Sequence, residues 1–355
     1  MIADNRLTEN SEWDNRLLGE QLKILSEAEL DFSLEASGFE MGEIDLIIEN
    51  LTPANDGADD PADALPRLSS VQVTRIGDLW QLGKHRILCG DALSHDSYKS
   101  LMGDCRAHVV FTDPRYNVLT AGKMSRKGMN RDREFVMASD EMTEAEFTGF
   151  LSNTLTCLAT YSLPGSLHYI CMDWRHMREL LAAGHATYSE LKNVCVWVKD
   201  NAGMGSLYRS QHELVFVFKH GKSAHRNKVR PRRSGRSRSN VWHYPGANSF
   251  SRSSSERETL ALHPSVKPVA MVADAIMDCS MRGDLVLDAS LGGGTTIIAS
   301  EITGRKCYGI ELDPSYVDTI VRRWEGFTGL SAVHGISGKT FADFEKEIRD
   351  GHDRQ

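Results

Sequence analysis

From about residue 71, short apolar runs alternate with stretches of helical period, and this alternation most constrains what the chain can fold into. Runs of four to eight apolar residues fit strands buried on both faces, whereas apolar residues recurring at 3.6-residue spacing fit helices that bury one side. Parallel neighbours need a crossover long enough to hold a helix, so repeated strand–helix alternation predicts a mostly parallel sheet with helices on both faces. The expected strands are HRILCGD, AHVVFTDP, SLHYICM, LKNVCVWVK, HELVFVFK, GDLVLDAS and KCYGIEL. The expected helices are TEAEFTGFLSNTLTCLATY, WRHMRELLAAG, KPVAMVADAIMDC, TTIIASEIT and DPSYVDTIVRRWEGF. The fold class is therefore α/β, with a Rossmann-like sheet and no internal repeat.

Ahead of this body the pattern differs. Residues 1–51 are acidic and read as helical pieces, WDNRLLGEQLKIL and then GFEMGEIDLIIENL. Residues 52–70, TPANDGADDPADALPRLSS, hold three prolines and few large apolar side chains and read as a linker. A segment as small as 1–51 buries little by itself, so docking on the main body is expected. The body spans 71–330, and 331–355 reads as a tail. The net charge of −8 hides an asymmetry: residues 1–65 carry 17 acids and 3 bases, leaving 38 bases and 32 acids in the remaining 290 residues. The body is mildly basic, which keeps a polyanionic partner in play.

No apolar run approaches the roughly 18 residues of a membrane span. The opening MIADNRLTEN lacks a basic region followed by an apolar core, so neither a secretory signal nor a membrane partner is expected, and a cytoplasmic location is. The seven cysteines lie mostly inside apolar runs and form no CxxC pair. Buried free thiols are expected rather than disulfides, and no metal site is.

Residues 284–296, DLVLDASLGGGTT, describe a strand ending in Asp288, a glycine loop and a helix start at Thr295. Gly292, Gly293 and Gly294 allow close backbone approach, and the helix start offers free N–H donors. Tight turns use the same residues, so the loop alone says little. About 20 residues on, the strand KCYGIEL ends in Glu311, where an acid can accept from ribose hydroxyls. The spacing indicates an adenosine-type ligand, either a nicotinamide cofactor or S-adenosylmethionine. HPSVKP, 263–268, precedes a helix, where proline also has an ordinary structural role.

A second strand end reads VVFTDPRY, with Asp113, Pro114, Arg115 and Tyr116. An aromatic amine is a weak nucleophile because its lone pair is delocalised. Two acceptors on its hydrogens, the Asp113 carboxylate and the Pro114 carbonyl, would favour tetrahedral nitrogen and steady the charge formed during attack. The Tyr116 ring could stack on an extruded base. An ordinary strand-end turn uses the same residues.

Together TDPRYNV, HPSVKP, LDASLGGGTT and GIELDPSYVDTIVRRW resemble the amino-methyltransferases of DNA, over about residues 85–325. In that family the catalytic motif is D/N/S-P-P-Y/F/W and the cofactor loop D-P-F-x-G-x-G-T-T. The catalytic motif comes first here, which is the permuted order of the beta group. The resemblance implies an S-adenosylmethionine cofactor, with Asp288 and the loop holding its methionine part and Glu311 the ribose. It further implies Asp91 of CGDAL near the adenine, with Ser265, Lys267 and Pro268 closing over the cofactor. D-P-P-Y goes with adenine as the target, S-P-P-x more often with cytosine. Two positions depart from the pattern. Arg115 replaces the second proline, losing the restraint on the loop and adding a charge, and D-A-S replaces D-P-F. The stretch DNRLTENSEWDNRLLGEQL looks like the tail of a ParB-like nuclease or partition domain, most of which would be missing.

Lys219 to Arg238 holds nine Lys or Arg and no acid. Such a run is ordinarily a solvated loop. Its place between the two motifs, where the beta group carries its recognition insert (about 219–250), points to phosphate contacts by Arg226, Lys228, Arg230, Arg232, Arg233, Arg236 and Arg238. The expected partners are double-stranded DNA and, as one option, a second copy of the chain. The expected activity is adenine-N6 methylation. The alternatives are cytosine amino-methylation, a catalytically impaired DNA-binding homologue, methylation of RNA or protein, and, with least support, a nicotinamide dehydrogenase.

Overall fold

The computed structural model describes residues 14–28, 34–39, 41–49, 51, 61–66, 71–114, 142–203, 207–229, 238–246 and 266–352. Among them ten strands form one sheet. The strands are β1 Leu79–Leu82, β2 His85–Cys89, β3 Ala107–Thr112, β4 Ser162–Met172 and β5 Glu190–Val198, then β6 His212–Lys219, β7 Val241–His243, β8 Leu285–Asp288, β9 Lys306–Glu311 and β10 Val333–His334. Their order across the sheet is β10-β1-β2-β9-β8-β3-β4-β6-β5-β7. The run β2-β9-β8-β3-β4 is parallel throughout. Both flanks carry antiparallel pairs, β10-β1-β2 on one side and β4-β6-β5 on the other.

All seven expected strands form, and so do the five expected helices, at Glu144–Thr160, Met177–Thr187, Val269–Met277, Thr295–Ile302 and Pro314–Thr328. Alternate side chains of the strands feed two separate cores. Val109, Phe111, Tyr169, Cys171, Val286 and Cys307 face one layer, which holds helices 269–277, 295–302 and 314–328. Val110, Ile170, Met172, Leu287, Tyr308 and Ile310 face the other, with helices 144–160 and 177–187. Burying each large apolar side chain contributes roughly 1.5–3 kcal/mol, which is why strands covered on both faces read as unbroken apolar runs.

Chain order fixes where a ligand can sit. From β3 the chain passes outward to β4, whereas from β8 it passes the other way to β9, so neighbouring β3 and β8 diverge at their carboxyl ends. A crevice opens at such a switch point in open α/β sheets. Asp113 follows β3, while Asp288 and Glu311 end β8 and β9, so all three acids lie on this edge.

The N-terminal helices, α1 Asn15–Glu27 and α2 Met41–Glu49, form where the apolar periodicity places them. The Asp14 side chain caps α1 by accepting from the Arg16 and Leu17 amides. Gly19 permits their close crossing, since a Cβ there would lie 2.8 Å from Leu51. Leu22, Leu34, Met41, Ile44 and Ile48 make a small core that also packs on Met281 of the body. Within the expected linker, Pro61–Asp63 form a 3-10 turn. Asp63 accepts from the Val269 amide (2.8 Å), and Arg323 donates to the Ala62 carbonyl (2.7 Å). The expected tail ends in a helix, Phe341–His352, with Phe341, Phe344 and Ile348 against the main core. No described helix is long and apolar enough to cross a membrane.

Candidate active site

Asp288 ends β8 and is 3 % exposed. Its carboxylate accepts from the Ser290 amide (2.9 Å) and the Thr296 hydroxyl (2.6 Å), which ties the strand end to the helix beyond the glycines. Burial pushes its pKa up to about 6, and the neighbouring charge of Asp113 adds to the rise against those hydrogen bonds.

The glycines are required by conformation and by space. Gly292 and Gly294 have φ of +53° and +78°, a region that side-chain-bearing residues rarely adopt. A Cβ on Gly294 would lie 2.7 Å from Ile320, whereas one on Gly292 would meet nothing within 4 Å. The loop backbone at Gly292 thus faces open space while Gly294 is packed. The Gly292 amide donates to Glu311 (2.9 Å), and the Gly293 carbonyl accepts from Arg323 (2.6 Å). Glu311, buried at the end of β9, also accepts from the Asp313 amide (3.0 Å), so it braces the loop. Asp91 lies on the same edge, because Cys89 pairs with Glu311 and the Gly90 amide donates to the Glu311 carbonyl. The Asp91 carboxylate accepts from the Leu93 amide, forming a local turn.

Pro268 caps helix 269–277, and the Lys267 carbonyl accepts from the Thr295 hydroxyl (3.1 Å), joining this segment to the glycine-loop helix. The Lys267 ammonium points elsewhere. It is 5 % exposed and lies 2.5 Å from the Asp113 carboxylate and 3.1 Å from Glu213. Glu213 in turn pairs with Lys199 at 2.5 Å. Burial would raise the Glu213 carboxyl, but Lys267 and Lys199 hold it at about 2. Burial would lower the Lys267 ammonium, but Asp113 and Glu213 hold it above its ordinary range. Trp197 lies beneath both cations, its ring centroid 4.5 Å from Lys199 Nζ and 5.9 Å from Lys267 Nζ.

Asp113, Pro114, Lys267, Pro268, Asp288, the three glycines, Thr295, Glu311 and Asp91 therefore meet on the carboxyl edge of the parallel strands. Ser265, Arg115 and Tyr116 lie outside the described residues. Glu213 and Lys199 were not singled out in the sequence. Their signal, a charge at each end of an apolar strand, is too common to select them.

The basic run is placed differently. Arg226 pairs with Asp284, which precedes β8. Lys228 pairs with Asp45 (3.3 Å), and Arg238 with Asp274 and Asp278. Arg226 and Arg238 hold the insert to the body and Lys228 ties it to α2, near the amino ends of the parallel strands, on the edge away from Asp113. Arg230, Arg232, Arg233 and Arg236 lie outside the described residues. The aromatics after the run anchor it: Trp242 is 5 % exposed, and the Tyr244 hydroxyl donates to Asp274. Six of the seven cysteines are buried, Cys105 is exposed, and all seven are free thiols.

Residues 107–322 match the DNA methylase family, N6/N4 type, and residues 16–76 match the ParB-methyltransferase HTH domain. Among solved structures, the cytosine-N4-specific PvuII DNA methyltransferase aligns with a TM-score of 0.51 at 15% identity, covering 81% of this chain and 97% of that one. That likeness shows a common fold. A putative DNA modification methylase from Thermus thermophilus, complexed with S-adenosyl-L-methionine, aligns at 0.47 and 18% identity over 72% of this chain and 96% of its own. The M1.HpyAVI–SAM complex aligns at 0.45 and 17% identity, covering 67% and 98%. No curated protein matches the chain.

Proposed function

Because the chain belongs to the N6/N4 DNA methylase family matched over residues 107–322, we propose that it moves a methyl group from S-adenosylmethionine to the exocyclic N6 amine of adenine in double-stranded DNA. The observation that carries this reading is the juxtaposition of Asp113 with the Asp288–glycine–Glu311 crevice at one switch point of the sheet.

The crevice fits the cofactor chemically. The open space at Gly292 leaves room for a ligand against the loop backbone. Asp288 and Glu311 supply acceptors, the first for the cationic methionine part and the second for the ribose hydroxyls. When bound, S-adenosylmethionine would supply an electrophilic methyl on a sulfonium sulfur, which would keep the C–S bonding pair as the leaving group.

Every other contribution belongs to the chain. Asp113 accepts one amine hydrogen and the Pro114 carbonyl the other, favouring the tetrahedral nitrogen that attacks and holding the positive charge it gains. After transfer the nitrogen loses one proton, and the Asp113 carboxylate is the group this reading assigns to accept it. The target base must leave the helix to reach Asp113, and Tyr116 is the ring assigned to stack on it.

Incubation with methyl-labelled cofactor and unmethylated duplex DNA, followed by nucleoside analysis, tests the assignment. Label in N6-methyladenine is expected. Label in N4-methylcytosine overturns the choice of base. Arg115, at the family's second proline, favours one second reading, a DNA-binding homologue with impaired catalysis. Binding of both ligands without any transfer would select it.

A further inference from the structure

We propose that Lys267, paired also with Glu213, is the positioning residue of the catalytic carboxylate. Its ammonium fixes the Asp113 carboxylate toward the target amine, and Glu213 offsets the charge that this ammonium would otherwise impose on the reacting nitrogen. This assigns the lysine of HPSVKP a task beyond the cofactor contact expected of that segment, and its effect on turnover rests on the methyl-transfer reading above.

The geometry carries the argument. The four groups form an alternating file, Asp113–Lys267–Glu213–Lys199, with contacts of 2.5, 3.1 and 2.5 Å. A lone ammonium beside Asp113 would oppose methylation, because the nitrogen becomes positive in the transition state and would face a cation across the carboxylate. At short range in a poorly solvated site that repulsion is strong. Glu213 contacts the same ammonium at 3.1 Å and offsets much of its field, while the hydrogen bond that orients Asp113 remains. Lys267 also couples the two halves of the site. Its carbonyl accepts from Thr295, which opens the glycine-loop helix, while its side chain holds the residue that acts on the amine.

Any ion pair at this distance shifts the Asp113 midpoint, so the titration reports the contact, whereas a pair that served only to hold the fold together would leave the pH profile and the kcat-against-KM split of turnover unchanged; all three are measured. Among the described residues, the charged and titratable groups acting with Asp113 include Lys267 from the segment before helix 269–277, Glu213 of β6 on the same ammonium, Asp288 at the end of β8 and the buried Cys171 thiol of β4. Replacing Lys267 removes the cation and should raise the Asp113 midpoint; replacing Glu213 leaves the cation unopposed and should lower it.

The experiment uses the full chain with carbon-13 in its aspartate carboxyls, and Asp113 is assigned by the resonance lost in Asp113→Asn. In Lys267→Met the Asp113 midpoint is expected to rise by about one unit or more, in Lys267→Arg to return most of the way, and in Glu213→Gln to move down. With S-adenosylmethionine and duplex DNA, kcat in Lys267→Met is expected to fall about 100-fold, with the acid limb of its pH profile shifted upward. The cofactor KM should stay within about threefold, since the interaction lost acts in the transition state. An Asp113 midpoint unmoved in both Lys267→Met and Glu213→Gln overturns the proposal. If Lys267→Met does not fold, the direction of the Glu213→Gln shift decides alone. If the natural chain transfers no methyl, the function above fails while the carboxyl titration still decides this pair.

Discussion

Asp288 is buried and Glu213 half-buried, and their neighbours send the two carboxylates in opposite directions. Glu213 is held at about 2 because two lysines outweigh its burial. The largest influences on Asp288 are its burial and hydrogen bonds rather than a cation, and it rises to about 6. A carboxyl raised on folding contributes stability that is full below its unfolded pKa, near 3.8, and lost as pH rises through about 6. At pH 7.5 Asp288→Asn should therefore stabilise the ligand-free chain, by roughly 1–3 kcal/mol in urea unfolding. The same change should weaken the cofactor, because a cationic ligand favours the ionised form. In the natural chain, cofactor affinity should drop about tenfold between pH 7 and pH 5, and calorimetry should find that slope absent in Asp288→Asn. Arg115 poses the complementary test for the loop beyond Asp113. Asp113→Ala should abolish transfer and leave cofactor binding nearly intact, whereas Arg115→Pro should raise turnover by restoring the restrained loop. A proline variant no faster than the natural chain would show that loop stiffness is not limiting.

Glu301, on the glycine-loop helix, ties three elements together. Its carboxylate meets the His85 ring of β2 (2.8 Å), the indole N–H of Trp324 in helix 314–328 (3.0 Å) and Lys84 of the β1–β2 turn (3.0 Å). Burial alone would raise it, but these partners bring it down to about 2. A lowered carboxyl contributes stability above its unfolded pKa, near 4.5, and loses it as pH falls through about 2. Glu301→Gln should thus cost about 1–3 kcal/mol at pH 7, with the difference from the natural chain shrinking toward pH 2; denaturant melts at pH 7 and pH 3 would check both. Elements of this kind mark the limit of what sequence reveals. Strands such as β3 and β8 were legible because burial on both faces leaves an unbroken apolar run. β1, β7 and β10, of four, three and two residues, are too short for any period to appear. Phe341, Phe344 and Ile348 did carry a helical spacing in the expected tail. The acid–glycine–acid spacing was legible because its members are close in the chain. The Asp113–Lys267 contact spans 154 residues, and only the register of the sheet brings it together.

At the scale of the whole molecule, one buried acid adds ion pairs to the apolar contact that seats the N-terminal helices. Asp45 of α2 is 2 % exposed and pairs with Arg305 at 2.8 Å, Arg282 at 3.2 Å and Lys228 at 3.3 Å. Arg305 is itself completely buried, so Asp45→Ala would strand a guanidinium inside the protein, at a cost of about 3–5 kcal/mol. The expected outcome is faster hydrogen exchange across 14–51 with β8 and β9 still protected. Equal protection in both chains would mean that Asp45 is not the fastening. The arrangement also sets a clock on biosynthesis. Arg305 follows Asp45 by 260 residues, and at about 5–20 residues per second the ribosome needs roughly 13–50 s to make it. For most of that interval helices α1 and α2 are outside the ribosome while the arginine that completes their seat has yet to be joined to the chain. Tension on nascent chains, read with an arrest sequence, should therefore register their docking only after residue 305 has emerged, which makes a segment translated well ahead of its seat among the last to settle.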